Sequence, residues 1–158
     1  MIKDREKSGK IDDYKKLIYF VNSELNLNLT ADKPLFVHYS PGPDVSNTTS
    51  RPISNDELDA SKNSRLTFEK KLLKEINGQV LYVFKKPSQF VYEDNERLYW
   101  KKDPKSEFEK RFFSEYHYWH SSFVILFSNG DYNVYLGEFS YEKAFDYVKN
   151  WKKKNKVK

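Results

Sequence analysis

Three histidines carry most of the chemical options in this chain: His38, His117 and His120. Two of them open the same short pattern, His38-Tyr39-Ser40 and His120-Ser121-Ser122, with the histidines 82 positions apart. Alternate side chains of a strand share a face, so His38 and Ser40 are expected to present an imidazole and a hydroxyl side by side. His120 and Ser122 match them only if their strand reaches back that far. His117 and His120, three apart, could share a helix face and hold a metal with His38 or Asp44 added. The helix expected before them stops near Tyr116 and no companion motif follows, so no metal and no cofactor are expected. The simpler reading of His117-Tyr118-Trp119-His120 is an amphipathic aromatic lip. The carboxylates at Asp12-Asp13, Glu93-Asp94 and Glu107/Glu109 read as solvated faces or first-turn caps.

Composition removes several classes of function. The absence of cysteine excludes a disulfide scaffold, a thiol nucleophile, a redox Cys-x-x-Cys pair and a zinc ribbon. Aromatic residues make up 17% of the chain, far above what a disordered segment carries. The net charge of +5 suggests a polyanion partner until its position is read. Lys152, Lys153, Lys154, Lys156 and Lys158 supply five of the 28 basic residues, and the remaining 23 balance the 23 acidic ones. The body is therefore neutral and the basicity belongs to a solvated tail. No RNP-like aromatic strand accompanies it, so no specific nucleic-acid partner is expected. No apolar run approaches the ~20 residues that span a bilayer. The opening Met-Ile-Lys-Asp-Arg-Glu-Lys lacks the apolar core of a signal peptide, which predicts a cytoplasmic protein. An exported fragment behind a new Met1 has the same appearance.

The elements that must position these residues follow from periodicity. Residues 1–10 are charged and expected to be flexible. Ile11, Tyr14, Leu17, Ile18, Val21 and Leu25 mark one face of a helix. Residues 35–39 form a short apolar run that reads as a buried strand, stopped by Ser40-Pro41-Gly42-Pro43-Asp44. Ser54 and Glu57 make a capping box. The helix it starts takes Leu58, Leu66, Leu72, Leu73 and Ile76 as its buried face, with a break near Asn63, and stops at Asn77-Gly78. A second strand spans 79–84. Residues 90–100 suggest a small hairpin, either a partner surface or core under the sheet. Asp103-Pro104 begins a third helix with Phe108, Phe112 and Tyr116 on one face. A strand at 123–127, a tight Asn129-Gly130 turn and a return strand at 133–137 follow. Ser140 caps a last helix with Ala144, Phe145, Val148 and Trp151 inward. This predicts one domain over 11–151, between a flexible 1–10 and a basic tail at 152–158.

A strand–helix–strand unit, a helix, then a strand–turn–strand–helix unit resembles the thioredoxin family over roughly residues 33–151. Phe123-Val-Ile-Leu-Phe-Ser-Asn-Gly-Asp, Leu136-Gly137 and the Ser140 helix look like its C-terminal half. Pro41-Gly42-Pro43-Asp44 sits where that family places Cys-Gly-Pro-Cys. The resemblance implies an α/β, thioredoxin-like three-layer sandwich with a mixed sheet, an N-terminal helix and an expanded middle segment. Its first two sheet strands are then parallel and its closing hairpin antiparallel. Both redox positions fall on Pro41 and Asp44, so thiol–disulfide exchange is chemically impossible. Ser122 stands where the family carries a cis-proline, and a trans peptide is expected there.

That arrangement also implies that the end of the first sheet strand lies beside the start of the closing hairpin. His38, His117 and His120 would then gather at one edge with Ser40, Ser46 and Ser122. The first functional expectation is a redox-inactive binding module for a protein or small molecule. Its candidate contacts are Pro41, Gly42, Pro43, Asp44, His117 and Trp119, with the Pro41–Asp44 loop opening a pocket in the small-molecule version. The alternative is a hydrolase. Paired His-x-Ser motifs on two strands resemble the two-histidine phosphoesterases. That resemblance implies His38 and His120 as general base and acid across a phosphodiester, with Ser40 and Ser122 on the phosphate oxygens. It requires both rings and both hydroxyls to face one pocket.

Overall fold

The computed structural model describes residues 5–42, 54–86, 100–114 and 121–156. The first helix, α1, spans Tyr14–Leu25 and buries Tyr14, Leu17, Ile18 and Val21, the expected stripe. It stops at Asn26, whose left-handed backbone lets its N–H close on the Asn22 carbonyl. The helix at Asn55–Ile76, α2, starts on the expected capping box. Glu57 N–H donates to Ser54 Oγ at 3.2 Å, and Ser54 N–H donates to Glu57 Oε2 at 2.8 Å. It runs without a break at Asn63 and buries Leu58, Arg65, Phe68 and Leu72. Leu66 and Leu73, expected inside, are 40% and 55% exposed. Two stripes compete on this helix, and the one carrying the large Phe68 ring wins the core.

Six strands form one mixed sheet among the described residues. They are β1 (Glu6–Lys10), β2 (Leu35–Ser40), β3 (Gln79–Phe84), β4 (Lys101–Lys102), β5 (Ser122–Leu126) and β6 (Asp131–Tyr135). The order is β1-β6-β5-β2-β3-β4. β2 pairs in parallel with β3 through the α2 crossover and antiparallel with β5, while β5 and β6 form the antiparallel hairpin. Residues 6–10, expected to be loose, instead form β1, antiparallel to β6. The cause lies in the backbone. Without β1, β6 would leave a row of unpaired amides at the sheet margin. Leu136 N–H also donates to the Arg5 carbonyl at 2.8 Å, and Ile11 N–H to that of Gly130 at 2.9 Å. Gly130 has φ of 93°, and a Cβ there would sit 2.0 Å from the Ile11 oxygen, so only glycine fits.

Helices cover both sheet faces. Leu35, Val37 and Tyr39, with Val124, Leu126 and Val134, pack against α1 and residues 108–113. Phe36, Phe123, Ile125 and Phe127 pack against α2 and the last helix, α3 (Tyr141–Lys154). The segment after Asp103 is not an α-helix. A 3₁₀ turn at Pro104–Ser106 leads to a π-helical turn at Glu109–Phe113. The Asp103 carboxylate caps the second piece, accepting from Phe108 and Glu109 N–H at 3.1 and 2.9 Å. α3 begins after Ser140, whose carbonyl rather than side chain takes the Lys143 N–H. Lys152–Lys154, expected in a solvated tail, form the last turn of α3, and Lys152 donates to the Glu75 carbonyl of α2. No helix among the described residues is long and apolar enough to cross a membrane.

Candidate functional site

The site builds outward from β2. Its odd-numbered residues face α1, so Phe36, His38 and Ser40 face α2. Around His38 stand three aromatic rings, Phe139 at 5.0 Å, Trp100 at 5.1 Å and Tyr82 at 5.6 Å between centroids. The register supplies Tyr82, which lies directly across the parallel ladder from His38. Among the described residues neither imidazole nitrogen has a hydrogen-bond partner, and both are closed off from solvent. Burial, aided by the Arg65 charge, lowers the His38 pKa to about 3. The ring is therefore neutral at physiological pH, with one donor and one acceptor left over.

Arg65 of α2 is only 4% exposed. Its guanidinium carbon stands 4.8 Å from the Tyr82 ring centroid, and Nε lies 3.6 Å from Glu69 Oε1. The Tyr82 hydroxyl donates to Glu69 Oε1 at 3.1 Å, and burial followed by the Glu69 charge pushes its pKa up. A buried cation thus lies over an aromatic wall beside a neutral imidazole, with a carboxylate at the rim. Sequence reasoning missed Arg65, Glu69, Tyr82 and Phe139 as site residues, while Trp100 lay in the 90–100 segment read as a partner surface or as core. A signal existed for the first: Arg65 falls seven residues after Leu58 and seven before Leu72, within the apolar stripe.

The two His-x-Ser patterns do not present their hydroxyls together. Ser122 pairs with Tyr39, so it lies on the α1 face, opposite His38 and Ser40. On that face Tyr39 stacks on Phe113 at 4.4 Å, and Ser122 Oγ accepts the Gly137 N–H at 2.9 Å. Pro41 and Gly42 are buried at the end of β2. Gly42 has φ of 91°, and a Cβ on it would meet the Lys86 backbone oxygen at 2.6 Å. Pro43, Asp44, Ser46, Tyr116, His117, Trp119 and His120 lie outside the described residues, as does the expected hairpin up to Tyr99. Among the described residues no group of three or more His, Asp or Glu side chains could hold a metal.

A general base works best with a pKa near the operating pH, and His38 lies far below it. His38 lies in the C-terminal half of β2, which has a parallel neighbour on one side and an antiparallel one on the other. No protein-family model matches the chain, and comparison with curated proteins and with solved structures gave no match.

Proposed function

We propose that this chain is a redox-inactive thioredoxin-fold binding module that takes its ligand or partner segment beside His38. The β6-β5-β2-β3 order supports the fold, since it joins a parallel strand–helix–strand unit to an antiparallel strand–turn–strand–helix unit through β2 and β5. The absence of cysteine supports the loss of thiol chemistry. The observation that carries the site is the pair of unpartnered His38 nitrogens inside an aromatic box. Buried polar atoms are nearly always paired, so an orphaned imidazole ringed by aromatic side chains marks a place where a ligand could supply the partner.

A fragment titration followed by NMR tests the proposal. Binders are expected to shift both the His38 ring signals and the Trp100 indole N–H, and His38→Phe is expected to weaken them about tenfold. Binders that leave both residues unmoved would overturn the site. Phosphodiester turnover abolished by both His38→Ala and His120→Ala, with folding intact, would replace the binding module by the hydrolase.

A further inference from the structure

An open cleft of about 760 Å³ lies on the same sheet face but far along it, under the C-terminal half of α3, and shares no residue with the His38 site. A helix laid over a sheet normally seals an apolar layer, and α3 does so over its first two turns through Ala144 and Val148. Beyond that the floor turns polar. Asp131 faces α3, because Trp151 Nε1 donates to its Oδ2 at 3.2 Å. Asn133 follows on the same face by alternation, and the register sets Lys10 opposite Asp131 and Ser8 opposite Asn133. Asn150 and Trp151 of α3 form the wall. Four polar side chains on a floor that a helix overhangs leave space instead of a packed core.

The chemistry of the lining selects the ligand. Asp131 is held by two donors, the Trp151 indole and Asn129 Nδ2 at 3.0 Å. The Asp131 carboxylate accepts from hydroxyls, while Lys10 and Lys154, which also line the cleft, donate to ligand oxygens. Asn133 and Asn150 each donate and accept through one carboxamide, which matches the paired hydroxyls of a sugar ring. Trp151, stacked on Phe127 at 4.2 Å, is a rigid aromatic edge beside them. We propose that the cleft between β1, β6 and α3 binds a saccharide through its hydroxyls.

The test is a titration of the isotope-labelled chain with maltotriose, with a β-linked trimer of N-acetylglucosamine and with inorganic phosphate. At least one sugar is expected to shift the Trp151 indole and the Asn133 and Asn150 carboxamide signals. Asn150→Ala and Asn133→Thr are each expected to weaken that binding about tenfold with the fold retained. Three results would each overturn the proposal. One is no shift with either sugar at about 10 mM. Another is a response to phosphate alone. The third is sugar binding that survives both substitutions together.

Discussion

His38 shows how one side chain can couple stability to acidity. Its folded pKa of about 3 lies below its ordinary 6.5, so the unfolded chain binds the proton first. Stability contributed by the neutral ring is complete above pH 6.5 and is lost as pH falls toward 3, at no more than about 1.4 kcal/mol per pH unit. His38→Phe is expected to flatten this slope, measured as the urea midpoint at successive pH values; an unchanged slope would show an accessible, ordinary imidazole. Asp103 acts with the opposite sign. Burial pushes its carboxyl up to about 6, so the folded chain takes the proton first and gains stability as pH falls from 6 toward 3.8. Asp103→Asn is expected to abolish that gain in the same titration. At this scale the alternation of β2 was legible, which is why His38 and Ser40 were rightly placed on one face. Ser122 was not, because its role depends on its cross-strand partner Tyr39, a long-range register that no local pattern encodes.

Elements with local causes were readable, and elements with distant causes were not. The α2 capping box is local, and Ser54→Ala is expected to cost about 1 kcal/mol in chemical denaturation. The hairpin around Gly130 is also local, although its strands sit one or two residues earlier than expected. β1 has no local signal. Glu6-Lys7-Ser8-Gly9-Lys10 shows neither alternation nor β-branched residues, and it pairs because β6 offers free amides and Gly130 admits the Ile11 carbonyl. Gly130→Ala strikes that junction and is expected to destabilise by at least about 2 kcal/mol. A loss below about 0.5 kcal/mol would show that the turn can move away from Ile11. The segment after Asp103 misled for another reason. A cap and a proline announce a helix start, but not whether the turns that follow are α, 3₁₀ or π.

Across the whole molecule the chain's charge is partly built into the fold. Lys152 reaches from α3 to the Glu75 carbonyl of α2, so the basic stretch does not begin as a free tail. Removing residues 155–158 is expected to leave the melting temperature unchanged, whereas ending the chain at Trp151 is expected to cost about 1 kcal/mol. Equal losses from both truncations would refute this division. Lysines also mark the sheet's two outer strands, Lys7 and Lys10 on β1 and Lys101 and Lys102 on β4. A bare strand margin is a template on which another molecule's backbone can continue the ladder, the first step toward fibrils. Among the described residues one margin is only two residues long, the other carries a glycine, and lysines stand on both. The lysine-bearing rims thus act as a colloidal safeguard, keeping an aromatic-rich sheet from growing sideways into its neighbours at high concentration.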